Sequence, residues 1–297
     1  MDLFDTNTTF ERQLFAKAAR NRIPLYGVLE LLPLCNLNCD MCYVHLSKQE
    51  MQSQGGLRSV DEWISFAHQM KDAGTLFLLL TGGEPLLFPQ FKELYCALKD
   101  MGMILTLNTN GTLINEEWAE FFAKNKPRRI NITLYGSKNE TYENLCYMKD
   151  GFDKTIRGIE LLKKYKIDVK INGSLVKKNF HDRMEIIDIG EKYDIPVRID
   201  TYMYPSVRER TTPFNFQERL NPEDAAKARV EILHREMGDE LFEQYAKTSM
   251  ECNQCKLRHV CNTCAAAAIA ECGDSEGVSK YLCEYTKETV RNLKEFY

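Results

Sequence analysis

Three cysteines, Cys35, Cys39 and Cys42, stand in C-x3-C-x2-C spacing directly after the apolar run of residues 26–34. Three thiolates on one short loop can hold three irons of a 4Fe-4S cluster and leave the fourth iron open to a further ligand. Zinc sites also take closely spaced cysteines, so the triplet alone leaves both metals open. Further along, Thr81-Gly-Gly-Glu-Pro85 closes a second apolar run with two glycines, a carboxylate and a proline. Glycines let the backbone approach a bound ligand closely, and a glutamate beside them can accept from an ammonium group. Pro85 fixes the turn.

Together the two stretches resemble the radical S-adenosylmethionine (radical SAM) enzymes, whose cluster loop follows the first barrel strand and whose Gly-Gly-Glu-Pro follows the second. The family usually has an aromatic residue before the last cysteine of the triplet; here that residue is Met41, with Tyr43 just after. The resemblance implies that Cys35, Cys39 and Cys42 hold a 4Fe-4S cluster whose open iron binds the amino and carboxylate groups of S-adenosylmethionine (SAM). It further implies that an electron from the cluster splits SAM into methionine and a 5′-deoxyadenosyl radical, which takes hydrogen from a substrate. Gly82, Gly83, Glu84 and Pro85 would then meet the methionine end. Asn108, Thr133, Tyr135 and Asn172, all near strand ends, are the expected ribose and adenine contacts. Tyr135 stands where the family often has Asp, so a carboxylate contact to the ribose is not expected.

Six more thiols, Cys252, Cys255, Cys261, Cys264, Cys272 and Cys283, crowd into one short C-terminal stretch. So short a segment buries little apolar area, and a metal core would supply its folding energy. The run C-x2-C-x5-C with a later cysteine resembles the SPASM extension of radical SAM enzymes, in a shortened, one-cluster form. That implies one auxiliary 4Fe-4S cluster on Cys252, Cys255, Cys261 and Cys283, with Cys264 and Cys272 as alternate ligands or free thiols. A zinc knuckle uses the same spacings. Cys96 and Cys146 fall inside helical patterns, away from either cluster, and are expected to be small buried hydrophobes.

These residues need a frame to hold them. Apolar runs alternate with helical periods: strands at 26–34, 76–80, 104–108, 129–134, 168–175 and 196–201, and helices between them, one opened by the capping box Ser59-Val-Asp-Glu62. Six strands separated by helices imply right-handed βαβ units and a parallel sheet. The expected fold is α/β, a partial (βα)6 TIM-like barrel with a small Cys-rich iron-sulfur domain. Its divisions are an N-terminal helix over 1–24, the barrel over 25–205, a loop and bridging helix over 206–250, and the auxiliary domain over 251–297. The N-terminal helix carries Phe10, Leu14, Phe15 and Ala18 on one face and should cap the barrel bottom.

Composition narrows the function classes. With 297 residues, 44% apolar and 28% charged, the chain can bury a core, and its net charge of −4 provides no basic field for nucleic acid or an anionic membrane. Lysine pairs such as Lys163-Lys164 and Lys177-Lys178 read as solvated faces. No run approaches the ~18 apolar residues of a membrane span, and the N-terminus lacks a signal pattern, so a cytoplasmic protein is expected. Thiols are kept reduced there, which favours metal ligation over disulfides for the eleven cysteines.

The resemblance implies a peptide or protein substrate, with thioether formation, epimerisation or cross-linking as reactions, and flavodoxin or ferredoxin as electron donor. With no extra domain expected for a leader peptide, recognition would fall to the barrel mouth, the 205–220 loop or a separate partner. An activase or small redox-cofactor maturase is the alternative within the superfamily. A non-catalytic zinc-binding scaffold is the alternative outside it.

Overall fold

A computed structural model of the chain describes residues 9–201, 203, 217–253, 255–257, 283 and 287. The third and fourth strands bury every second residue, Leu105 and Leu107, Ile130 and Ile132, and the buried Leu78 and Leu80, Val169 and Ile171 keep the same spacing in their strands. A period of two puts these side chains on one face of a sheet. Six strands, β1 (Tyr26–Glu30), β2 (Phe77–Thr81), β3 (Ile104–Thr109), β4 (Arg129–Thr133), β5 (Val169–Ser174) and β6 (Val197–Asp200), pair in parallel in chain order. The strand order leaves β1 and β6 as the two edges, which makes the fold a partial TIM-like barrel as expected.

Parallel strands need crossovers, and helices supply them. After α1 (Thr9–Arg20), which precedes β1, these are α2 (Lys48–Ser53), α3 (Val60–Asp72), α4 (Phe91–Asp100), α5 (Glu116–Lys124), α6 (Asn139–Cys146), α7 (Gly151–Lys164) and α8 (Arg183–Tyr193). Ser59 caps α3 as its sequence signature predicts, with Glu62 N–H on the Ser59 hydroxyl and the Glu62 carboxylate on the Ser59 N–H. Two such bonds satisfy donors that would otherwise be orphaned at the helix start.

Helix α1 lies at the strand N-terminal ends. Ala18 packs with Leu25 and Phe77, Phe15 stacks on Phe77 at 5.2 Å between ring centroids, and Arg128 holds Glu11 through two nitrogens at 3.2 and 3.3 Å. This is the capping position expected for it.

Two details differ from the sequence reading. Helix α2 was not anticipated, because it buries no side chain and so leaves no apolar period; its only sequence signal is a second capping box, Ser47 with Glu50. Strand β1 stops at Glu30 rather than Leu34. Beyond it, residues 32–34 bond to the loop after β2 instead: Gly83 N–H donates to Leu32 O at 2.7 Å and Glu84 N–H to Leu34 O at 2.9 Å.

The chain divides into compact units of residues 1–225 and 226–297. Helix α9 (Pro222–Asn253) is capped by the Asn221 side chain, which accepts from Asp224 N–H at 2.8 Å, and is interrupted at Gly238, whose φ of 73° and ψ of 167° are not helical. Of the predicted loop at 205–220, only residues 217–220 lie within the described residues. Among the described residues no helix is long and apolar enough to cross a membrane.

Candidate active site

The inward face of the sheet is polar and bounds a cavity of about 740 Å³. Cys35, Cys39 and Cys42 line it, as do Gly82 and Gly83. So do Asn108, Thr133, Tyr135 and Asn172, each at or near a strand C-terminal end, where parallel barrels place their chemistry. Glu84 and Pro85 do not share that position: both are buried, Glu84 completely, and Pro85 opens a 3-10 turn (Pro85–Leu87).

The cysteine loop is fixed from two sides. On one side the glycine pair presses against its start; Gly82 has φ 148°, and a Cβ there would meet Leu32 O at 2.5 Å. On the other side the loop docks on the end of α6. Asn38 N–H donates to Cys146 O at 3.2 Å and Asp40 N–H to Leu145 O at 3.1 Å, so loop amides satisfy carbonyls that a helix end leaves free. The Asp40 carboxylate takes the Tyr147 hydroxyl at 2.9 Å and the Lys178 ammonium, which also reaches Asn144 O at 3.2 Å. Lys178 is thus part of the loop's anchorage and not merely a solvated lysine.

Cys146 also corrects the sequence reading. It is buried as expected, but it is not remote from the thiol triplet: its carbonyl takes the N–H of Asn38, the residue before Cys39. Burial holds its thiol well above the ordinary range, and the nearness of Cys39 adds to that. Cys96, in α4, is only half-buried.

The three sulfurs sit among hydrogen-bond donors. Cys35 accepts from Leu37 N–H at 3.4 Å and from the Asn110 amide at 3.7 Å, and Cys42 accepts from His45 N–H at 3.3 Å. Burial pushes the Cys35 thiol up to about 12, against the Leu37 bond and with smaller contributions from Glu84, Cys39 and Cys42. Three thiols around one polar-mouthed cavity, with N–H groups at the sulfurs of Cys35 and Cys42, fit the thiolate ligation of a 4Fe-4S cluster. Among the described residues, no three His, Cys, Asp or Glu side chains are drawn together tightly enough to ligate a single ion.

Glu84 binds protein groups. Its carboxylate accepts from Leu86 N–H at 3.1 Å, Asn110 N–H at 2.9 Å and the Thr109 hydroxyl at 2.8 Å. Burial raises it to about 7 despite these bonds, of which the one from Asn110 N–H counts most. The effect is to lock the loop after β3 to the loop after β2. Asn110 then spans to the cysteine loop, its amide donating to Asn36 Oδ1 at 2.9 Å and its own Oδ1 accepting from the Thr112 hydroxyl at 2.6 Å. Asn108 lies on the barrel wall, where its Oδ1 accepts from the Asn131 amide at 2.8 Å.

Tyr135 is held by residues the sequence did not point to. The fully buried Asn179 donates to Tyr135 O at 2.9 Å and Ser174 O at 3.1 Å and accepts from Val176 N–H at 2.7 Å. The buried Asp182 carboxylate accepts from Ser137 N–H at 2.9 Å and the Thr141 hydroxyl at 2.5 Å. Burial sends the Tyr135 phenol well above its usual range, with Cys39, Cys146, Cys42 and Cys35 adding to it. Asn179→Ala strands the Val176 N–H and two carbonyls, and is expected to cost about 2 kcal/mol in urea denaturation, the cost of unmet buried polar groups; a loss near zero would show that water replaces the amide.

Of the C-terminal thiols, Cys252 falls within α9, Cys255 is exposed and Cys283 is partly exposed. Cys261, Cys264 and Cys272 lie outside the described residues.

Comparison with known proteins gives the family. The model of the radical SAM superfamily matches residues 29–189, and the chain belongs to that superfamily. It is 31% identical over 208 residues to the AdoMet-dependent heme synthase of Methanosarcina barkeri, covering 68% of this chain and 58% of that one. It is 29% identical over 175 residues to the antilisterial bacteriocin subtilosin biosynthesis protein AlbA of Bacillus subtilis, covering 57% of this chain and 38% of that one. Among solved structures, SuiB of Streptococcus suis superposes with a TM-score of 0.60 at 19% identity, over 81% of this chain and 55% of that one. The chain therefore spans about half the length of the curated relatives it matches.

Proposed function

We propose that the chain is a radical SAM enzyme that modifies a peptide or protein. Cys35, Cys39 and Cys42 would hold the 4Fe-4S cluster. Gly82 and Gly83 would flank the methionine end of SAM, and Asn108, Thr133, Tyr135 and Asn172 its nucleoside. When bound, cluster and SAM supply one-electron cleavage of a carbon–sulfur bond and abstraction of hydrogen from substrate. The chain's own residues position and shield. The glycine pair and the α6 end keep the thiol loop at the cavity mouth, Glu84 and Asn110 join the loops on either side, and Asn179 with Asp182 sets the backbone that carries Tyr135. The observation that carries the reading is the meeting of the three thiols and the glycine pair at one cavity on the strand C-terminal side.

Peptide modification is supported by the likeness to AlbA and by the SPASM-like thiol spacing after residue 251. On this reading residues 25–205 form the catalytic barrel and 251–297 a domain with one auxiliary cluster, held by Cys252, Cys255, Cys261 and Cys283. A flavodoxin or ferredoxin would supply the electron. A second substrate class, a tetrapyrrole, is favoured by the identity to the heme synthase.

Anaerobic reconstitution is expected to give about eight irons, falling to about four when Cys35, Cys39 and Cys42 are all changed to Ala, with loss of 5′-deoxyadenosine formation. A zinc-filled protein that leaves SAM intact would overturn the reading. Turnover of peptides against tetrapyrrole carboxylates then separates the two substrate classes.

A further inference from the structure

Tyr147 breaks a local rule. It ends α6 in the left-handed region, with φ 57° and ψ 35°, where helices ordinarily finish on glycine or asparagine because other side chains are strained there. It is 62% exposed, so burial does not explain the residue. Its hydroxyl does have a partner, Asp40 Oδ1 at 2.9 Å, and Asp40 stands between Cys39 and Cys42. Strain kept at one residue for one contact directs attention to what that contact does.

The same carboxylate takes the Lys178 ammonium on its other oxygen. Lys178 also helps to close the helix. The last three carbonyls of α6, on Asn144, Leu145 and Cys146, accept from Lys178 Nζ at 3.2 Å, Asp40 N–H at 3.1 Å and Asn38 N–H at 3.2 Å. A helix end leaves such carbonyls without internal partners, and here each is met by the cysteine loop or by the lysine that grips it. Lys178 itself stands on a fixed base: Lys177 N–H donates to Glu218 O at 2.9 Å, Lys177 Nζ to Gln217 O at 2.6 Å, and Asn179 is fully buried.

We propose that Tyr147 and Lys178 are positioning residues that latch the cysteine loop to the end of α6, presetting Cys39 and Cys42 for the cluster and slowing its loss. Ordering a loop costs conformational entropy residue by residue, so a loop already held has less to lose when it takes up iron. The part concerning iron rests on the radical SAM reading above; the latch itself does not.

The test uses the full chain before and after reconstitution. Before it, iodoacetamide labelling of Cys39 and Cys42 is followed by mass spectrometry, with the exposed Cys255 as reference. Tyr147→Phe, which removes only the hydroxyl, and Lys178→Met are each expected to speed labelling about threefold, and the pair about tenfold, the scale of partly exposed charged contacts. Loss of a nearby cation by itself disfavours the thiolate and slows labelling, so faster labelling in Lys178→Met reports an opened loop. Lys178→Arg keeps a cationic donor and stays near wild type. Raising salt to about 0.5 M speeds labelling of the wild type but not of Lys178→Met, and the wild-type response alone serves if a variant does not fold. After reconstitution, a ferrous chelator is expected to draw iron from the double variant about tenfold faster than from wild type. Labelling unchanged in both variants and indifferent to salt overturns the inference and leaves the functional reading standing. Faster labelling with unmoved iron release overturns the part concerning the cluster. A wild-type chain that takes up no iron overturns the functional reading, and labelling still decides the latch.

Discussion

Gly83→Ala is expected to lose about 3 kcal/mol or more of stability and to retain under about half of the wild-type iron after reconstitution, the largest single-methyl effect in the fold. An added Cβ would stand 2.2 Å from Leu34 O, 2.6 Å from Leu34 C and 2.9 Å from Pro33 O. All three are backbone atoms, so no rotamer change can make room. Overpacking a methyl commonly costs about 1–3 kcal/mol, and here the displacement also breaks the bonds from Gly83 N–H to Leu32 O and Glu84 N–H to Leu34 O, each worth about 1 kcal/mol. Leu34 is bonded directly to Cys35, which is why the strain reaches the thiols. Gly102→Ala is the control. Its φ is 84° and nothing lies within 4 Å of the added Cβ, so it bears only left-handed strain of about 1–2 kcal/mol and should keep its iron. Urea denaturation and iron counting on both variants decide it: equal losses would mean that backbone conformation, not contact with the cysteine loop, explains the glycine.

The Gly-Gly pair was visible in the sequence, but the reason for it was not. The motif suggested room for a ligand, and the structure adds that the pair also makes room for the chain itself, against residues 32–34. Legibility follows the range of the interaction. The strands could be read because their apolar runs are local, alternating in β3 and β4 and continuous in β2, and α3 because its capping box and apolar stripe lie within fifteen residues of each other. Helix α2, with nothing buried, had no stripe to read. The cavity residues Cys35, Cys39, Cys42, Gly82 and Gly83 were legible as short motifs at strand ends. Cys146, Asn110, Asn179 and Asp182 were not, because each meets a partner from another element: Asn38, Cys35, Tyr135 and Ser137. Cys146 shows the limit most clearly. Its local pattern says buried and small, both of which are correct, and nothing within a helix period of it says that Cys39 is its neighbour.

The same distinction between local signal and distant partner governs Glu84, whose substitution should change how stability depends on pH. In the folded chain burial holds its carboxyl at about 7, against an ordinary value of 4.5. Below pH 4.5 the group is protonated in both folded and unfolded chains, and it draws no distinction between them. As pH rises from 4.5 to 7 the unfolded chain ionises while the folded one resists, so stability falls with rising pH, by about 3 kcal/mol over the window at 1.36 kcal/mol per unit, and levels off above it. Glu84→Gln removes the charge at every pH, so that descent should vanish from the variant's curve, leaving a roughly constant cost of about 1–2 kcal/mol for whichever of the Asn110 and Leu86 N–H groups the amide no longer satisfies. Urea denaturation of both proteins at pH 5.5 and pH 8 measures the difference. Parallel curves would mean that Glu84 ionises in the fold as readily as in water, and that its three donors outweigh its burial. Thr109→Val, which removes one hydroxyl donor and keeps the shape, should carry the descent to higher pH and so deepen it, since the ionised carboxylate then has less to hold it.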